Sequence, residues 1–144
     1  MAEDADRRRA PPLERRRSLL IVDDDASLTT ALARGLREHS FVSVASDGDE
    51  ALRLIEASQD TFDAVLSDVQ MPGLSGIELH RALDVRCHPA AGRFVLMTGG
   101  ALTQAERAYV RARSIPLLAK PFGIAAVEDL LLLDALAQGR RTVG

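Results

Sequence analysis

The chain has 144 residues, of which 47% are hydrophobic and 27% charged, with a net charge of −3; this suits one domain of ordinary size with a core and a soluble surface. No apolar run approaches the roughly 20 residues of a spanning helix, since the most strongly apolar stretch, Leu130 to Leu133, is closed off by Asp129 and Asp134, and no apolar core of the length a secretory signal requires follows the N-terminal arginines. The single cysteine, Cys87, cannot form an internal disulfide, which fits a reducing, cytoplasmic setting.

Residues 1–17 hold six arginines against Glu3, Asp4, Asp6 and Glu14, and they read as a disordered Arg-rich leader. The remainder is therefore more acidic than the whole, which argues against a nucleic-acid surface there. Ser18 to Val22 is a short apolar run ended by three aspartates, the pattern of a buried parallel strand. Leu28, Ala31, Leu32 and Leu36 predict a helix from about Ala26 to His39. Phe41 to Ala45 is β-branched and aromatic, a second strand. Asp47, with Glu50 three residues on, caps a second helix through Ala51, Leu52 and Ile55.

Phe62 to Ser67 predicts a third strand running into Asp68, followed by a loop with Pro72 and Gly73. Ser75 and Glu78 form a capping box for a third helix. Phe94 to Met97 is a fourth strand, stopped by Thr98-Gly99-Gly100. Thr103 and Glu106 open a helix to about Arg113, Ile115 to Leu118 is a fifth strand, and Val127 to Ala137 a last helix with Val127, Leu130 and Leu133 inward and Leu131 and Leu132 partly outward. The domain then spans residues 18–138, with 139–144 a tail. Strand and helix alternate five times, which predicts an α/β fold: a (βα)5 doubly wound parallel sheet of order 2-1-3-4-5, flavodoxin-like. His39, His80 and His88 show no metal spacing and are expected to be solvated or capping.

Ligands of such sheets sit beyond the carboxyl ends of the strands. At those ends stand Asp23 and Asp24, Asp68, Thr98 and Lys120. Strands 1 and 3 are neighbours in the predicted order, so three carboxylates converge and call for a hard cation, with magnesium the natural candidate. An acidic metal cradle faced by a hydroxyl and an ammonium can hold a phosphoryl group. A carboxylate can also attack phosphorus itself, and Asp68, on the central strand, is the best placed to do so. Taken singly, each residue has a plainer role: a helix cap in Asp23-Asp24-Asp25, a strand end at Thr98, a surface turn at Lys120.

The set resembles the response-regulator receiver domain from about Ser18 to Ala137. The resemblance is carried by Leu20-Ile21-Val22-Asp23-Asp24, by Asp68-Val69-Gln70-Met71-Pro72-Gly73-Leu74-Ser75-Gly76, by Thr98, and by Lys120-Pro121. It implies that Asp24 and Asp68 bind magnesium directly, Asp23 through water, and Gln70 by its backbone carbonyl. It also implies that a histidine kinase or histidine phosphotransfer domain supplies the phosphoryl group to Asp68. Thr98 and Lys120 would grip its oxygens, with Lys120-Pro121 a cis peptide. Inward movement of Thr98 would then shift the face made by the fourth helix, fifth strand and fifth helix.

Leu117 stands where the family often has an aromatic switch residue, which is compatible with a relay or storage role. Gly100 and Gln70 point to a phospho-aspartate that lasts minutes. A weak homodimer through the last helix is a further expectation, and the chain reads as a stand-alone receiver or one belonging to a hybrid kinase. Two alternatives stay open: a haloacid-dehalogenase-type phosphohydrolase using Asp23-x-Asp25-x-Ser27, and an interaction module whose chemistry has decayed.

Overall fold

The computed structural model describes residues 16–58 and 62–143, with side chains through Leu133. Five parallel strands form one sheet in the order β2-β1-β3-β4-β5. They are β1 (Arg17–Val22), β2 (Ser40–Ala45), β3 (Ala64–Asp68), β4 (Phe94–Thr98) and β5 (Leu117–Ala119). The helices are α1 (Ala26–Leu36), α2 (Gly48–Ala57), α3 (Gly76–Val85), α4 (Gln104–Ala112) and α5 (Ile124–Val143), with a 3-10 turn at Pro89–Arg93. The predicted flavodoxin-like α/β fold is the observed one.

Successive residues of a strand point to opposite faces, and this sorts the core in two. Leu20, Val22, Val65, Phe94 and Leu96 pack under α2, α3 and α4, against Ile55, Leu79 and Tyr109. Leu19, Ile21, Leu66, Val95 and Met97 pack under α1 and α5, against Leu32, Leu36, Val127 and Leu131. Both faces are covered, so the central strands are apolar without alternation. Leu19 to Val22 are all inaccessible to solvent.

Helix starts follow their local chemistry. The Ser75–Glu78 and Thr103–Glu106 capping boxes are both formed. Asp25 caps α1 by accepting from the Ser27 and Leu28 N–H groups, and Asp47 accepts from Glu50 N–H at α2.

Several expectations are corrected. α1 ends at Leu36, because His39 N–H turns back to the Leu36 carbonyl and Ser40 enters β2. β5 is Leu117–Ala119, since Ile115 closes the turn after α4 instead, its N–H bonded to Val110. α5 begins at Ile124 and runs to Val143, so its backbone takes in most of the predicted tail. Its inward face is Ile124, Val127 and Leu131, which are three and four residues apart, with Leu130 packed partly buried beside them as expected, leaving Leu133 64% exposed. Leu131 is thus a core residue, whereas Leu132 is exposed as expected.

His80 is buried, 3% exposed, because it lies three residues after Ile77 on the inward side of α3; it is neither solvated nor a cap. His88 does cap, its Nδ1 accepting from Ala90 N–H, and His39 is exposed. The predicted leader lies outside the described residues save for its last two arginines. Arg16 donates to the Arg37 and Ser40 carbonyls and stacks 4.4 Å from the Phe41 ring, while Arg17 begins β1 and pairs with Glu128 at 3.6 Å. Among the described residues no helix is long and apolar enough to cross a membrane.

Candidate phospho-acceptor site

The order of a doubly wound sheet reverses between β1 and β3, where connections leave to opposite faces and open a crevice. Strand register then decides which side chains meet there. Val22 pairs with Ser67, so Asp23 and Asp68 emerge level from neighbouring strands. Asp68 pairs with Met97 and Thr98 with Ala119, which brings Thr98 and Lys120 to the same edge. Every site residue expected from the sequence therefore stands at one end of the sheet.

Asp23, Asp24 and Asp68 form the acidic group, with one carboxylate oxygen from each within 4.8 Å of the others. Asp23 is 2% and Asp68 7% exposed, while Asp24 is open to solvent. Lys120 Nζ lies 2.7 Å from Asp23 Oδ2 and 3.5 Å from Asp68 Oδ2. One ammonium thus faces three carboxylates, and the remaining negative charge favours a hard cation held by oxygen. Burial, then the Asp23 charge, push the Asp68 carboxyl above its ordinary value; Lys120 and a hydrogen bond from the Gln70 backbone N–H oppose this. Burial works to lower the Lys120 pKa, but its hydrogen bond to Asp23 and the charges of Asp68 and Asp23 outweigh it and hold the group cationic.

Thr98 is buried at the end of β4. Its hydroxyl donates to the Gly100 carbonyl at 2.8 Å and accepts from Gly100 N–H at 3.3 Å. Thr98 is in the site, but its hydrogen bonds are made within its own loop. Gln70 is exposed, and its side-chain Oε1 lies over the same loop, 3.8 Å from where a Cβ on Gly100 would stand. Lys120-Pro121 is cis, as the resemblance implies.

The backbone behind Asp68 curls tightly. Gly73 adopts φ 75°, open to glycine at little cost. The first residue of α3, Gly76, donates to the Val69 carbonyl at 3.0 Å. A Cβ on Gly76 would sit 2.2 Å from the Asp68 carbonyl oxygen. The sequence signal for this close approach is the glycine itself, standing at a helix start where a residue with a side chain would ordinarily be favoured. Unforeseen in the sequence was the pairing of Lys120 with Asp23. Asp25, finally, is occupied as the α1 cap, with its own N–H bonded to Asp23 Oδ1 at 2.9 Å, so the hydrolase-like pattern Asp23-x-Asp25-x-Ser27 does not supply a second pocket carboxylate.

Known proteins agree with this geometry. The response regulator receiver domain family matches residues 19–132. The response regulator protein FleR of Pseudomonas aeruginosa is 34% identical over 100 residues, 69% of this chain and 20% of that protein. The chain spans between 10% and 36% of the length of the curated relatives it matches. A CheY-like receiver domain protein from Methanospirillum hungatei superposes with a TM-score of 0.75 at 23% identity, covering 88% of this chain and 98% of the other. A response regulator from Burkholderia pseudomallei, solved with a phosphorylated aspartic acid, calcium ion and citrate, gives a TM-score of 0.68 at 28% identity, over 88% of this chain and 72% of that one. With five strands in receiver order, and an acidic group at their carboxyl ends, the chain belongs to the response regulator receiver domain family of two-component signalling.

Proposed function

We propose that the domain accepts a phosphoryl group on Asp68 from the phosphohistidine of a histidine kinase or histidine phosphotransfer domain. The observation that carries this is the grouping of Asp23, Asp24 and Asp68 within 4.8 Å, with Lys120 Nζ 3.5 Å from Asp68 Oδ2. The Burkholderia relative, solved with a phosphorylated aspartic acid and a calcium ion, supports the reading.

The three carboxylates fit magnesium by donor chemistry, all hard oxygen and mostly unneutralised. When bound, the ion neutralises phosphoryl oxygens as charge builds in the transfer. Asp24 and Asp68 would hold it directly, Asp23 through water, and Gln70 by its carbonyl. An Asp68 carboxylate oxygen attacks phosphorus, the P–N bond to the donor imidazole breaks, and the imidazole leaves with the bonding pair. Lys120 is within reach of Asp68 and meets the transferred charge, while Thr98 turns from Gly100 to donate to a phosphoryl oxygen. The acyl phosphate is returned to carboxylate and phosphate by water. Gln70 over a side-chain-free Gly100 leaves that approach open, so the phospho-form decays in minutes; survival for a day at room temperature would refute this.

The phospho-accepting unit runs from Arg16 through α5, works in the cytoplasm, and either stands alone or serves a longer hybrid kinase. The test is intact mass after incubation with acetyl phosphate and magnesium, beside Asp68→Asn. A gain of one phosphoryl group that the variant lacks supports the assignment. No gain in the wild type with either acetyl phosphate or a phosphorylated kinase favours a decayed interaction module.

A further inference from the structure

α4 is secured by few buried groups. Tyr109 and Val110 are its buried residues, and the polar one meets His80 of α3. Both ring nitrogens of His80 are engaged: Nε2 lies 3.0 Å from the Ala91 carbonyl oxygen and Nδ1 2.7 Å from the Tyr109 hydroxyl. A carbonyl only accepts, so Nε2 carries the hydrogen, Nδ1 is an acceptor, and the Tyr109 hydroxyl donates to it. The same ring stands edge-on to Phe94 at the start of β4, centroids 5.1 Å apart. A single side chain of α3 therefore touches the 3-10 turn, β4 and α4.

α4 is also the helix into which the Thr98 loop runs, for Thr98 ends β4 and Thr103 caps α4. Reaching a phosphoryl group on Asp68 requires the Thr98 hydroxyl to leave the Gly100 carbonyl, and the short segment between strand and helix must adjust with it. Whatever pins α4 biases that rearrangement.

We infer that His80 and Tyr109 are positioning residues for phosphoryl capture, their hydrogen bond a latch that holds α4 and the Thr98 loop in the arrangement that disfavours it; this rests on the receiver reading. Neutral His80 is the closed form. A proton on Nδ1 would reverse that hydrogen bond, leaving the Tyr109 hydroxyl as acceptor, and would strain the latch by placing a buried cation beside the guanidiniums that flank the Tyr109 ring, Arg113 at 3.8 Å and Arg81 at 5.0 Å. Asp84, on α3 itself, opposes that repulsion. The 3-10 turn presents the Ala91 carbonyl, with His88 bonded to Ala90 and Arg93 to the Phe62 carbonyl, and β4 presents the Phe94 edge. Burial keeps the His80 pKa below its ordinary value, with Ala91 and Asp84 raising it and Arg113 lowering it.

The test compares phosphorylation rates from acetyl phosphate and magnesium for wild type, Tyr109→Phe and His80→Gln between about pH 8 and about pH 5. Tyr109→Phe keeps the ring and removes the latch. His80→Gln offers an amide N–H to Ala91 and an amide oxygen to Tyr109, but does not titrate. At the upper pH Tyr109→Phe should react roughly fivefold faster than wild type, the worth of one neutral hydrogen bond. As pH falls, wild type should gain on His80→Gln, a ratio that cancels the titration of Asp68 and of the donor.

A Tyr109→Phe rate at or below wild type, or a constant wild-type to His80→Gln ratio, overturns the latch. Failure of every form to take phosphate is instead a failure of the receiver reading. The latch is then judged by NMR. Amide resonances from Gly99 to Thr103 should follow the His80 titration in wild type and stay still in His80→Gln, and their indifference in both overturns it.

Discussion

Gly76→Ala sets two physical effects against each other. Helix propensity alone makes the change favourable, since alanine gains about 1 kcal/mol over glycine within a helix. The close approach of α3 to β3 opposes it. The new Cβ would stand 2.2 Å from the Asp68 carbonyl oxygen and 3.0 Å from Ser67 Oγ. Carbon and carbonyl oxygen rest at roughly 3.3 Å or more, so the two backbones must part by about 1 Å. Neither is a flexible side-chain end. Overpacking of this kind costs about 1–3 kcal/mol, and the backbone clash argues for the upper end, so the melting temperature should fall by roughly 10 °C. The displaced strand end carries Asp68, the proposed acceptor, and a 1 Å misplacement can cost about 100-fold in rate. The assay is a thermal melt with acetyl-phosphate kinetics, beside Gly92→Ala, whose Cβ meets nothing within 4 Å and should stay within about 0.5 kcal/mol of wild type. A Gly76→Ala protein that melts and reacts like Gly92→Ala would refute the steric argument.

Asp68→Asn should stabilise the metal-free domain at neutral pH by about 1 kcal/mol, because a carboxylate is held there against burial and the Asp23 charge. A carboxyl whose folded pKa is raised gives its stabilising share below the unfolded value of 3.8 and loses it as pH rises through the folded one. The gap between variant and wild type should therefore narrow on acidification and also on adding magnesium; a gap unaffected by either counts against the carboxylate cradle. Cys87 and Ser114 hold φ of 56° and 52° after the last turns of α3 and α4, a conformation that glycine takes without the roughly 1–2 kcal/mol side-chain cost. Cys87→Gly and Ser114→Gly should each raise the urea midpoint by the equivalent of about 0.5–1 kcal/mol, and a fall in either would contradict the assignment. Leu132 is 43% exposed on α5, so Leu132→Arg should leave the melt within about 0.5 kcal/mol while weakening self-association in sedimentation. Unchanged association would remove this residue from any dimer contact.

Much of this protein is written in short stretches of its sequence. Apolar runs of strand length bounded by aspartate or glycine mark β1, β3 and β4, and the capping boxes at Ser75–Glu78 and Thr103–Glu106 mark helix starts. These signals act within a few residues, so they survive without knowledge of the fold. The grouping of the candidate acceptor with its neighbours was legible because parallel sheets place chemistry at strand ends, and Asp23, Asp24, Asp68, Thr98 and Lys120 each end or follow a strand. Which of the three aspartates caps α1 was not legible, since Asp23, Asp24 and Asp25 differ only in the direction the chain imposes on them.

The pairing of Lys120 with Asp23 joins residues 97 apart in sequence and depends on strand register. His80 resembled a surface histidine until Tyr109, Ala91 and Phe94 closed around it. The inward face of α5 belongs to Val127 and Leu131 rather than Leu133, because in a run of four leucines the helical period is silent and the angle of docking chooses. Local patterning determined the elements and the chemistry they carry. Tertiary packing decided which charges meet, which polar groups are buried, and how closely α3 may approach Asp68, because those outcomes depend on contacts between segments that local signals do not span.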